Sequence, residues 1–142
     1  MEEYFIANAE MVVQELRPLS GLDFGYTEES VEWLEGYIER MRNSGEFDDS
    51  ETKYRLMSVF GSYLGECLVR HYDGMWKQHE SGDWCVAFKD GTLAFPFSKV
   101  RKQMDNGPFD GISSFYRAVP AIMKHSSDAV APTPKKPWWK VW

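Results

Sequence analysis

The residues with chemistry to offer are few. Glu66 stands four positions before Arg70 and five before His71 in a helical stretch. Four apart places a carboxylate beside a guanidinium on one helix face and predicts an ion pair, at a surface or edge. A glutamate capping exposed strand or loop amides is the alternative use. Five apart is about 140° of rotation, so Glu66 and His71 diverge and make no acid–base couple. His71, His79 and His125 share no ligand spacing with Cys67 and Cys85, which argues against a zinc site. Cys85 and His79 could face each other across a hairpin, but a cysteine among Trp84, Val86 and Phe88 reads as core, and both cysteines read as buried thiols. The chain carries no glycine-rich phosphate loop, no Gly-x-Ser-x-Gly elbow and no carboxylate pair of recognised spacing. The expectation is a protein that is not an enzyme, with no catalytic residue, no cofactor and no metal.

Aromatic side chains are the other resource, with 9 Phe, 7 Tyr and 6 Trp in 142 residues. Half of the tryptophans, Trp138, Trp139 and Trp142, fall within five positions and stand beside Lys135, Lys136 and Lys140. Such a cluster needs a surface: the protein's own globule, another protein, or a membrane interface. Three indoles and a few lysines are too little for stable membrane insertion. Gly61 and Gly65, four apart in a helical pattern, each cost roughly 0.8–1 kcal/mol against alanine, so something must approach closely there, most simply a packed helix or sheet.

The elements that position these groups follow from periodicity. Helical spacing of Phe5, Ala9, Val12, Val13 and Leu16 predicts a helix over 3–17, closed by Pro18 and Gly21. Thr27 is the natural N-cap of a second, with Glu28 and Glu29 at its positive end and Tyr26 and Val31 as a hydrophobic staple. Its stripe is Val31, Leu34, Ile38 and Met41. Asp48 and Glu51 have capping-box spacing before the longest helix, whose face is Leu56, Phe60, Tyr63, Leu64 and Cys67. After Gly74 the period becomes two. Met75–His79, Trp84–Phe88 and Thr92–Phe95 predict an antiparallel three-stranded meander, with Trp84, Val86 and Phe88 on the face that a helix covers. Pro96 and Ser98 read as a turn into a short cationic segment, Lys99, Arg101 and Lys102, expected to be solvated. The acidic stretch Glu46, Asp48, Asp49 and Glu51 reads the same way. A last helix starts after Asp110 and is broken or kinked at Pro120.

Gly61-Ser62-Tyr63-Leu64-Gly65-Glu66, then Trp76, Phe95-Pro96-Phe97 and Ile112-Ser113-Ser114-Phe115-Tyr116, resemble a family of small uncharacterised bacterial proteins, a domain of unknown function. There a Gly-x-Tyr-Leu-Gly-Glu helix precedes a Trp-containing hairpin. The resemblance covers roughly 30–120. It implies a bacterial origin, a helix-plus-meander fold and one neighbourhood for Tyr63, Gly65, Glu66 and Trp76, and it implies no activity. The Trp-rich segment lies outside it.

The expected architecture is therefore α+β: one domain over 1–125, with helices packed on a small three-stranded antiparallel meander, and a flexible Pro/Lys linker and Trp-rich tail over 126–142. Against 22 Asp and Glu stand 16 Lys and Arg, a net charge of −6. That balance disfavours a nucleic-acid surface and favours a cationic partner. An acidic N-terminus and the lack of a long apolar run predict a cytoplasmic protein. The expected function is a non-enzymatic protein-binding module, in concrete form a bacterial immunity protein that neutralises a toxin. The residues expected at the partner are Trp138, Trp139, Trp142, Tyr63, Glu66, Trp76 and Trp84. The competing reading is a small-molecule binder or an enzyme of unrecognised type, with a pocket between the longest helix and the sheet around Tyr63, Glu66, Trp76 and Trp84.

Overall fold

The computed structural model describes residues 1–128. Local side chains set where its helices begin and end. Helix α1 spans Glu2–Ser20 and stops at Gly21, whose φ of 69° lies in the left-handed region that glycine adopts without a steric penalty. Pro18 sits inside the last turn rather than ending it. Helix α2, Glu28–Asn43, opens on Thr27, whose hydroxyl accepts from the Ser30 amide at 3.1 Å, as its sequence predicts. Helix α3, Ser50–Tyr72, is capped by Asp49 and not by Asp48: Asp49 accepts from the Thr52 amide at 3.0 Å. The cap shifts by one because Glu46–Asp48 wind into a 3-10 turn and Asp49 is the first residue after it with extended backbone.

Helix α3 is the axis of the molecule. All nine residues from Phe60 to Leu68 are buried, so this stretch is enclosed on every side. Its end turns sharply through Asp73 and Gly74 into the sheet, and a Cβ on Gly74 would overlap the Val86 side chain. The sheet is the expected meander, β1 (Met75–Gln78), β2 (Trp84–Ala87) and β3 (Leu93–Ala94), paired antiparallel in that order. Trp76 faces Val86 in register, and Val86 faces Ala94. Val86 and Phe88 are buried and Trp84 half-buried, yet Cys85 on the opposite face is buried as well, so here both faces of β2 are covered.

The segment after Pro96 departs from expectation. It forms an eleven-residue helix, α4 (Pro96–Asn106), in place of a turn and a short solvated stretch. Proline at the first helical position is compatible with a helix start. Val100, Gln103 and Met104 then give it a buried face that the interleaved basic residues obscure in the sequence. Lys99 is a further correction: it is 5% exposed and pairs with Asp110 at 3.5 Å. Burial holds its ammonium below the ordinary lysine range. Helix α5, Ile112–Asp128, runs through Pro120 without ending there, because Phe115, Tyr116, Val119 and Ile122 on either side are anchored in the core. It also includes 126–128, which composition assigns to the linker. Together these elements form an α+β fold, with five helices around a small antiparallel sheet among the described residues.

Candidate functional site

The close approach demanded by Gly61 and Gly65 comes from two aromatic rings. A Cβ on Gly65 would overlap the Trp76 indole, and one on Gly61 would overlap the Phe97 ring. The strip is thus sealed by a β1 residue and an α4 residue.

Glu66 has a more interior role than a surface ion pair. It is 3% exposed, its Oε2 accepts from Trp76 Nε1 at 2.8 Å, and its Oε1 accepts from Arg70 Nε at 3.2 Å. The expected pairing with Arg70 is present, but the surface placement is corrected: the Trp76 ring that covers Gly65 also covers the carboxylate. Arg70 continues outward, with its guanidinium 3.8 Å from the centre of the Tyr26 ring. The Tyr26 hydroxyl donates to Glu10 at 2.6 Å, and burial pushes its ionisation upward. This chain of contacts ties α1, the α1–α2 loop, α3 and β1 together. Its carboxylates already have partners, so it is a structural lock.

Tyr63 is fully buried, stacks on Tyr26 at 5.7 Å between ring centres and donates its hydroxyl to the Gly25 carbonyl at 2.5 Å. Tyr63, Glu66 and Trp76 are therefore brought into one neighbourhood, but inside the core, and they present no surface to a partner in this conformation. Trp84 differs: it is half-buried and lines an open cleft. Trp138, Trp139 and Trp142 lie outside the described residues.

The cleft holds about 840 Å³ and is assembled from four parts of the chain. The first turn of α1 contributes Met1, Tyr4 and Phe5, and the first half of α3 contributes Tyr54, Met57 and Ser58. The β1–β2 turn and the first residue of β2 supply Gly82, Asp83 and Trp84, while Phe95, Phe97, Ser98 and Arg101 come from the cap and first turns of α4. Its floor is a cluster of rings: Phe5 lies 5.5 Å from Trp84 and 5.4 Å from Phe97 between centres. Its lip is exposed, with Tyr4 at 52% and Tyr54 at 69%. Asp83 and Arg101 place one charge of each sign at the edge.

The remaining groups with reactive chemistry are placed elsewhere. His71 Nδ1 hydrogen-bonds with the Tyr116 hydroxyl, while His79 sits beyond β1 and pairs through Nδ1 with Ser81 Oγ at 2.9 Å. His79 and Cys85 do not face each other, because Cys85 pairs in register with Lys77. Cys67 and Cys85 are buried thiols rather than a disulfide, and burial pushes the Cys67 thiol up to about 12. Among the described residues, no group of three or more His, Cys, Asp or Glu could hold a metal ion, and no helix is long and apolar enough to cross a membrane.

Comparison with family models, with curated proteins and with solved structures returns no match for this chain. The cleft residues other than Trp84 are ones that sequence reasoning does not single out as a site. A signal was available: Tyr4 and Tyr54 lie outside the apolar stripes of their own helices, and a large ring outside the stripe points away from the core.

Proposed function

We propose that this protein is a non-enzymatic binding module whose cleft receives an aromatic-bearing segment of a partner protein. The observation that supports the reading is the cleft itself: exposed tyrosines on its lip, a floor of rings, and residues converging from α1, α3, the β1–β2 turn and α4. Aromatic side chains in a concave, partly desolvated setting are the groups that dominate protein recognition. A chain with a net charge of −6 favours a cationic partner, and neutralisation of a cationic toxin, as by an immunity protein, is the concrete form proposed. The cleft volume also falls within the roughly 300–1,000 Å³ range of small-molecule sites, which favours a ring-bearing small ligand as the second reading.

The test is affinity capture from the source organism with the full chain, a Tyr54→Asp/Arg101→Glu variant, and a Phe109→Ser control at a fully exposed residue of the turn after α4. A stoichiometric partner lost with the cleft variant and kept with the control supports the reading. A partner kept by both moves the interface off the cleft. Capture of no protein, with a small aromatic compound co-purifying with wild type alone, replaces this reading with the second.

A further inference from the structure

The corner where α4 ends lies outside the cleft lining and carries a labile pair of residues. The asparagines of the chain are Asn8, Asn43 and Asn106, and they are followed by Ala9, Ser44 and Gly107. Glycine has no Cβ to shield its backbone nitrogen, so that nitrogen is the best placed of the three to attack the preceding side-chain amide. We infer that Asn106–Gly107 is a gated modification site: the folded corner holds the pair unreactive, and Asn106 deamidates when the last turn of α4 opens.

The fold makes use of both residues. Gly107 has a φ of 82°, in the left-handed region, and a Cβ there would lie 3.1 Å from Arg42 Nη1 of α2. Asn106 is exposed, and its Nδ2 donates to Asp110 Oδ2 at 2.8 Å across the 3-10 turn Gly107–Asp110. Asp110 in turn pairs with the buried Lys99. A glycine is therefore required where the preceding asparagine makes it reactive.

Three features of the closed corner oppose the reaction. The Gly107 N–H, which must lose its proton, is donated to the Gln103 carbonyl. Asn106 has a helical ψ of −11°, and closing a five-membered ring requires its backbone to rotate out of that region. The departing nitrogen, Nδ2, is held by Asp110.

Once the turn opens, solvent base takes the Gly107 amide proton and the nitrogen attacks Asn106 Cγ. A C–N bond forms to close a succinimide, the Cγ–Nδ2 bond breaks, and ammonia leaves. Water then adds to either ring carbonyl and leaves aspartate or isoaspartate at 106. One water is consumed, one ammonia is released, and nothing is oxidised or reduced. Neither product can donate to Asp110, and isoaspartate also lengthens the backbone where Gly107 reached Gln103. An opening of the helix end is thereby recorded in covalent form.

Where opening is fast compared with the chemistry, the observed rate is the intrinsic rate multiplied by the open fraction. A helix end open about one-hundredth of the time reacts about a hundredfold more slowly than the unfolded chain. The test incubates the full chain in neutral buffer, with and without denaturing guanidinium, and follows the tryptic peptide 103–117 by mass spectrometry. That peptide contains Asn106 and no other asparagine. A Met104→Ala variant, which loosens α4 at a buried position, is treated in the same way after circular dichroism shows it folded.

Deamidation at 106 is expected to be about a hundredfold slower in the native protein than in guanidinium, and Met104→Ala is expected to narrow that gap about fivefold or more. A native rate within about threefold of the unfolded rate overturns the gate. Loss of ammonia from Asn8 or Asn43 in guanidinium while Asn106 stays intact overturns the site. A folded Met104→Ala variant with the wild-type native rate also overturns the inference, since the gate would then not be the last turn of α4. The comparison of wild type with its own unfolded chain decides the matter even if the variant does not fold.

Discussion

Phe5 touches two aromatic regions that end differently. Toward the central helix, Trp76 packs 4.3 Å from Phe5 and closes over Gly65, with its indole nitrogen held by the buried carboxylate of Glu66. Toward the β1–β2 turn, Trp84 packs 5.5 Å from Phe5 and stays half-buried beside exposed Tyr4 and Tyr54. Both regions use rings from the same short helices and strands. The difference is what stands around each ring: a glycine strip lets Trp76 reach the helix backbone, whereas Trp84 borders a cleft lined mostly by large side chains, Tyr4, Tyr54, Met57 and Phe97 among them. Close packing accompanies the small residues, and the concave site accompanies the large ones.

The sharpest way to break the sealed side is Gly65→Val. The added methyls have nowhere to go, because Trp76 cannot swing away without leaving Glu66. Overpacking and the lost hydrogen bond together are expected to cost about 3–5 kcal/mol in urea unfolding. A cost below about 1 kcal/mol would show that the indole is not fixed. Glu66→Ala acts on the same lock from the other side. It leaves the Trp76 N–H buried without its acceptor and is expected to cost about 2–4 kcal/mol, while Glu66→Gln, which keeps an acceptor, costs less.

The sealed side also sets the response to alkali. The Cys67 thiol is pushed by burial from 9 to about 12. Burial raises Tyr26, Tyr63, Tyr72 and Tyr116 from 10 as well. These folded groups keep their protons where the unfolded chain loses them, so their contribution is fully present below pH 9 and is lost as pH rises toward 12. Lys99 and Lys102, lowered by burial, and Tyr4, lowered by its hydrogen bond with Asn8, work the other way, since the unfolded chain then binds more protons in this range, but they are three groups against five. The thermal midpoint is therefore expected to fall steadily between pH 9 and 11, and a flat or rising midpoint would contradict this assignment.

Gly61→Ala is milder. Phe97 is half-buried and borders the cleft, so its ring can yield, and helix propensity returns about 1 kcal/mol; a net cost of about 0.5–1 kcal/mol is expected. The smallest effect belongs to the open side. Tyr54→Asp and Arg101→Glu are expected to change stability by less than about 0.5 kcal/mol each while altering ligand capture. A large loss of stability from either would make the cleft a structural feature.

Much of this architecture was legible before any fold was known, because the forces involved are local. Thr27 caps α2 through a bond to a residue three positions on, Glu66 and Arg70 meet at helical spacing, and the meander follows from alternation and tight turns. The pair of glycines announced a close approach without saying from what. Where the structure departs from the local signals, a distant partner decides the outcome. Lys99 looks solvated until Asp110 and the neighbouring helices enclose it, α4 looks like a basic turn until Val100 and Met104 find a core, and Asp49 takes the cap because a 3-10 turn occupies Asp48.

By itself the sequence determined the element order, most helix ends, the α+β class and the crowding at Gly61 and Gly65, since each depends on residues within a few positions of one another. Only the tertiary structure decided that Trp76 and Phe97 fill that strip, that Glu66 is interior, and that Tyr4, Tyr54, Trp84 and Arg101 share one cleft. Those outcomes depend on which surfaces meet after the chain has turned back on itself, and no spacing along the chain encodes them directly.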